Sequence, residues 1–171
     1  MLCRMICREL RKLLKGFDPI IGLQPTVLIL GSMPSVTSLE KQEYYGFAHN
    51  RFWKIMAKHY GTTLDCYDQK IQLICDHHMI LWDVIGECER EGSLDSAIRN
   101  ESINDIESLL YTYPTVQKII CNGRKSHDLL MRHFPSLVQQ LEVIYLPSTS
   151  NANRSLEEEM LFKAWEQELP L

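Results

Sequence analysis

The stretch Tyr44-Tyr45-Gly46-Phe47-Ala48-His49-Asn50-Arg51-Phe52-Trp53 gathers aromatic rings, an amide and an imidazole just ahead of an apolar helical pattern. A hydrophobic core does not need that mixture, whereas a site holding a flat polar ring does. Aromatic faces stack on a base for about 1–3 kcal/mol each, and an Asn side chain offers both a donor and an acceptor to a ring edge. Phe52, Trp53, Ile55 and Met56 start a helix and are read as core. That leaves Tyr45, Phe47, His49 and Asn50 as the candidates to face a ligand.

Four continuous apolar runs must position this stretch: Val27-Leu28-Ile29-Leu30, Met79-Ile80-Leu81-Trp82, Lys118-Ile119-Ile120-Cys121 and Val143-Ile144-Tyr145-Leu146. Runs without alternation predict strands buried on both faces. Helical patterns lie between them over 51–60, 67–77, 103–113 and 124–133, and a last helix is expected over 155–168, with Ser155 and Glu158 as its capping box. The expected architecture is a three-layer α/β/α sandwich on a four-stranded, mostly parallel sheet. Ligands in such sheets bind beyond the carboxyl ends of the strands. The segments found there are Gly31-Ser32-Met33-Pro34-Ser35, Asp83, Asn122-Gly123-Arg124 and Pro147-Ser148-Thr149-Ser150-Asn151-Ala152-Asn153-Arg154. Small polar residues also serve ordinary turns, so it is their convergence with the aromatic stretch that points to a site.

Composition narrows the classes. The chain has 171 residues, of which 45% are hydrophobic and 23% charged, in keeping with one folded domain. No apolar run approaches the roughly 20 residues of a membrane helix. Net charge is -4, but the acids concentrate in 83–107 and 157–168, and outside those segments basic residues outnumber acidic ones. A local basic face is compatible with that distribution. Residues 1–15 are Arg- and Lys-rich, and are read as an amphipathic helical extension turning Leu2, Ile6, Leu10, Leu13 and Leu14 inward, ahead of a single domain over 16–171.

The loop after the first long strand lacks both GxGxxG and GxxxxGK[ST], so no nucleotide cofactor is expected. The six cysteines form no CxxC and no zinc-finger spacing, so neither a metal nor any other cofactor is expected. They read as reduced thiols of an intracellular, cytoplasmic protein. Asp76-His77-His78 is taken as a polar helix end and Cys121 as core, with no His near it in sequence to activate it.

Taken in order, Gly31-Ser32-Met33-Pro34, Tyr44-Tyr45, Asn50-Arg51-Phe52-Trp53, Leu81-Trp82-Asp83-Val84, Cys88-Glu89-Arg90, Gly92-Ser93-Leu94-Asp95, Asn122-Gly123 and Leu146-Pro147-Ser148-Thr149-Ser150 resemble the uracil-DNA glycosylase superfamily, and within it the hypoxanthine-DNA (deoxyinosine) glycosylases. The resemblance spans about 16–165. It implies a monofunctional DNA glycosylase of base excision repair that hydrolyses the N-glycosidic bond of a flipped deaminated base and leaves an abasic site. By the resemblance, Asn50 is the catalytic residue. The resemblance implies a base pocket of Gly31, Ser32, Met33, Pro34, Tyr45, Asp83 and Asn122, to which the reading of the aromatic stretch adds Phe47 and His49, the latter standing where the family more usually has Arg. Ser148, Thr149, Ser150, Asn151, Asn153 and Arg154 contact DNA. Met33 stands where the mismatch-specific branch carries its water-orienting Asn, and the last loop has no bulky wedge. The expected partner is double-stranded DNA with a deaminated base, single-stranded DNA being the alternative, and a monomer is expected to act. Two other outcomes stay open at this level: uracil excision from G:U mismatches, and a non-catalytic damaged-DNA-binding module of the same fold.

Overall fold

The computed structural model describes residues 13–153 and 156–171. Its central sheet has the order β2 (Ile20–Ile21), β4 (Met79–Asp83), β3 (Val27–Gly31), β7 (Lys118–Asn122), β8 (Glu142–Leu146). The last four are mutually parallel, and β2 pairs antiparallel with β4. These four parallel strands are the four apolar runs of the sequence. The short antiparallel edge makes the sheet five-stranded rather than four-stranded.

Alternation within β3 builds the three layers. Val27 and Ile29 pack with Phe52, Ile55 and Met56 of α2 (Phe52–His59), Leu73 and Ile74 of α3 (Tyr67–Asp76), and Leu161, Phe162 and Trp165 of α7 (Glu158–Glu166). Leu28 and Leu30 point the other way, onto Ile106 and Leu110 of α4 (Ile106–Thr112) and Leu129 and Leu130 of α5 (Arg124–His133). The three inner strands β4, β3 and β7 are therefore dry on both faces, which is why their runs are continuous; β8, at the sheet edge, is only partly buried, with Tyr145 43% exposed. Two short helices complete the set, α1 (Val36–Lys41) and α6 (Pro135–Gln140).

A second, antiparallel sheet flanks the first, in the order β1 (Leu13–Lys15), β5 (Ile85–Glu89), β6 (Arg99–Ile103). Its strands carry Glu87, Glu89, Arg99 and Glu101 and are only partly buried, so they give no apolar run to read. Residues 13–15 of the expected helical extension are thus strand. The two-residue period turns Leu14 into the second core and leaves Leu13 60% exposed. The rest of the extension lies outside the described residues, as does Ser155 of the expected capping box. The helix expected from 103 begins at Ile106, where the Asp105 side chain accepts from the Ser108 N–H at 3.0 Å. Residues 99–103 are taken by β6 instead. The last helix begins at Glu158 rather than at 155. Among the described residues, no helix is long and apolar enough to cross a membrane.

Candidate active site

The parallel strands end on one side of the sheet, and the segments beyond them enclose a cavity of about 400 Å³. That lies within the roughly 300–1,000 Å³ range of small-molecule sites. Gly31 and Asp83 are register partners at the floor. A Cβ on Gly31 would lie 2.2 Å from Asp83 Oδ1 and 3.1 Å from the Tyr45 hydroxyl, so only glycine lets those two groups close over the strand end.

Asp83 is the charged group of this floor. It is 4% exposed, and its Oδ2 is buried with no hydrogen-bond partner among the described residues. Burial, with the Asp95 carboxylate adding to it and Arg90 opposing, pushes the Asp83 carboxyl up to about 7. Its backbone carbonyl accepts from Asn104 Nδ2 at 2.8 Å, which fixes the strand end. Arg90, itself buried, donates from Nη2 to the Pro34 carbonyl and so holds the 31–35 loop, while its Nε and Nη1 find no partner among the described residues.

Tyr45 sits at a left-handed φ of 52°. The turn around it is held because Trp53 Nε1 donates to the Tyr44 carbonyl at 2.7 Å and the Tyr44 N–H donates to the Tyr67 hydroxyl at 3.0 Å. One face of the Tyr45 ring stacks on Phe52, with centroids 4.1 Å apart. Its hydroxyl accepts from Asn122 Nδ2 at 3.0 Å. Burial and the nearby Asp83 hold this phenol well above its ordinary range, so it stays neutral. Asn122 gives the rest of its amide to the last loop: Nδ2 donates to Thr149 Oγ1 at 3.0 Å, and Oδ1 accepts from the Thr149 N–H at 2.9 Å.

Asn50 stands at the entrance to α2. Its Oδ1 accepts from the Phe52 N–H at 3.0 Å, an Asx turn that sets the side chain in the cavity wall. Its Nδ2 has no partner among the described residues. The neighbouring Arg51 shapes the loop opposite. Its Nη2 donates to the carbonyls of Ser150 (2.8 Å), Asn153 (2.9 Å) and Ser148 (3.4 Å), and its Nε to that of Thr149 (3.3 Å). A planar fork reaching four carbonyls fixes a loop that has no regular structure of its own. Gly123, at a φ of 96°, lets Ser148 pass close by, because a Cβ there would come 3.0 Å from that of Ser148.

A family model for the uracil DNA glycosylase superfamily matches residues 19–169. The chain belongs to that superfamily. Curated relatives named hypoxanthine DNA glycosylase include one from Methanosarcina acetivorans, 37% identical over 144 residues, and one from Methanosarcina barkeri, 33% identical over 144 residues. Each alignment covers 82% of this chain and 88% of the relative. The solution NMR structure of a Methanosarcina acetivorans protein assigned as a uracil DNA glycosylase superposes with a TM-score of 0.77 at 35% identity, covering 92% of this chain and 96% of that one.

In this member of the superfamily, Gly31, Ser32, Met33, Pro34, Tyr45, Asn50, Asp83, Asn122, Ser148, Thr149, Ser150 and Asn153 all line the one cavity. Phe47 and His49 lie outside its wall and pack edge to face on each other at 5.4 Å. Asn151 is exposed at the loop tip beside it, and Arg154 lies outside the described residues. Sequence reasoning assigned no role to Ser93, Leu94, Asp95 or Ser96, which complete the wall from the β5–β6 connection. It also gave none to Arg51, whose loop partners are about a hundred residues away. Gly92-Ser93-Leu94-Asp95 was visible only as part of the family pattern.

Proposed function

We infer that this chain is a monofunctional DNA glycosylase that releases hypoxanthine from deoxyinosine in DNA and leaves an abasic site. The observation that carries this reading is Asp83, a buried carboxyl whose Oδ2 has no partner among the described residues, lining the floor of a cavity walled by Tyr45 and Asn50. The names of the Methanosarcina relatives support the choice of base. A duplex hides its glycosidic bonds, so the nucleotide swings out, and hypoxanthine, a weakly paired base, lowers that cost. Tyr45, backed by Phe52, supplies the stacking face. The Asp83 carboxylate accepts from the hypoxanthine N1–H. Adenine presents a lone pair at that atom and is repelled.

The C1′–N9 bond then breaks through an oxocarbenium-like transition state, with its electron pair leaving on the base. A water oxygen bonds to C1′, and the water proton ends on the departed base. An amide cannot take that proton. Asn50 has one Oδ1 lone pair committed to the helix, so the second lone pair and the Nδ2 donors are left to orient the water or to hold the leaving base. Duplex DNA is the partner in this reading, and one copy of the chain is the acting unit. The test is chromatographic detection of free hypoxanthine from a deoxyinosine duplex. The strand should stay intact until alkali breaks it at the abasic site; release of no base, or cutting without alkali, would contradict the reading.

A further inference from the structure

Once a base has left the stack, its place must be filled or the duplex re-closes. Minor-groove binders hold such openings with an apolar side chain inserted between base steps. The 148–153 loop carries no apolar side chain larger than a methyl group. The wall of the cavity has another source. Among the described residues, Leu94 is the one large, exposed hydrophobic side chain that lines it, at 59% exposure.

Single exposed leucines are ordinary on protein surfaces, so position and anchoring decide the matter. Both neighbours of Leu94 are pinned to the 31–36 segment. The Ser93 hydroxyl accepts from the Val36 N–H at 3.0 Å, and Asp95 Oδ1 accepts from the Ser32 hydroxyl at 2.7 Å. Leu94 is extended between them, at φ -77° and ψ 133°, ahead of a turn over Asp95–Ala97. The backbone on each side is held, and the side chain is left at the cavity mouth. A second cavity of about 400 Å³ adjoins the first, sharing Asp95, Ser96 and Ser148 with it. Arg99, Arg124 and Lys125 line it beside Asp95 and Asp128, so basic side chains outnumber acidic ones where a strand's phosphates would pass beside the same hairpin tip.

We propose that Leu94, from the β5–β6 connection, is the wedge that enters the DNA and fills the space vacated by the flipped nucleotide. The wedge comes from the strand-end loop of the second sheet and not from the 148–153 loop, whose conformation Arg51 fixes. This rests on the glycosylase reading above, and the experiment separates the two.

Leu94→Ala and Leu94→Met are compared with the wild type on deoxyinosine paired with dC and on deoxyinosine in a single-nucleotide bulge, which is already unstacked. For Leu94→Ala, kcat/KM on the paired substrate should fall about ten-fold or more, and on the bulge by less than about two-fold, since only the paired substrate needs the opening to be held. Leu94→Met should restore the paired substrate. Independently of turnover, 2-aminopurine placed 3′ to an uncleavable abasic analogue should brighten when saturating wild-type protein binds, and brighten less than half as much with Leu94→Ala. Equal losses on both substrates, no loss on either, or unchanged brightening would overturn the wedge. Wild-type protein releasing base from neither substrate would instead overturn the glycosylase reading, and the fluorescence would still decide the role of Leu94.

Discussion

Asp83→Asn tests the electrostatics of the floor quantitatively. A carboxyl at about 7 in the folded protein, against 3.8 for the free group, binds a proton more tightly when folded. Its contribution to stability is therefore fully present below about 3.8 and is lost as pH rises through about 7. Integrating the linkage between pH 5 and pH 8 gives a loss of about 2–3 kcal/mol for this one group. The amide of the variant does not titrate. It carries its own constant cost as a buried, unpartnered side chain, but that cost cancels in a comparison across pH. Urea unfolding of both proteins at pH 5 and pH 8 should show the variant gaining about 2–3 kcal/mol on the wild type as pH is raised. In the same variant, the acid limb near pH 7 in kcat/KM for hypoxanthine release should vanish, and exclusion of adenine should weaken, because an amide can offer a donor to adenine N1. A stability difference that does not change with pH would refute the buried, proton-binding Asp83 on which the base-reading argument rests.

Other perturbations read separate parts of the site. Gly31→Ala puts a methyl group where Asp83 Oδ1 and the Tyr45 hydroxyl now close; it should lower thermal stability by about 1–3 kcal/mol and cut base release even where the protein stays folded, as thermal scans and turnover would show. Arg51→Lys replaces the planar fork with a point charge that cannot reach the four loop carbonyls together, so KM for DNA should rise several-fold while far-ultraviolet circular dichroism is unchanged. Tyr45→Phe keeps the ring and removes only the acceptor for Asn122, so it should cost much less activity than Tyr45→Ala. The alanine variant loses a base-stacking face worth about 1–3 kcal/mol, or about 5- to 150-fold in kcat/KM.

The parallel sheet was legible because Val27 to Leu30 and the matching runs of β4 and β7 are buried on both faces, and a continuous apolar run says so directly; β8 has an equally apolar run although it is only partly buried at the sheet edge. The second sheet was not legible. Glu87, Glu89 and Glu101 face solvent in part, β1 is three residues long, and neither alternation nor length separates such strands from loop. Leu13 and Leu14 fitted a helical face and a strand equally well until their pairing with Glu89 and Cys88 was known. At the site, the small polar segments after each long strand and the aromatic stretch identified the cavity floor and wall. Phe47 and His49 offer an aromatic face and a polar group, as Tyr45 and Asn50 do, and no local pattern separates the two pairs; the fold puts Tyr45 and Asn50 in the cavity wall and packs Phe47 on His49 outside it. Arg51 looked like a helix-entry residue. Its bonds to the 148–153 loop depend on tertiary closure, which no local pattern encodes. Leu94, an apolar residue in a turn, became informative only once the hairpin tip was seen at the cavity mouth.

The central claim is best tested by base release from two otherwise identical labelled duplexes, one with deoxyinosine and one with deoxyuridine, using the wild type and Asn50→Ala. The account predicts hypoxanthine release by the wild type that falls at least about 100-fold in the variant, the lower end of what a positioned polar group supplies. Loss of the Phe52 cap should cost the variant only about 1 kcal/mol of stability, so it should remain folded. Folded wild-type protein that binds both duplexes and releases neither base, or an Asn50→Ala variant as active as the wild type, would contradict the account.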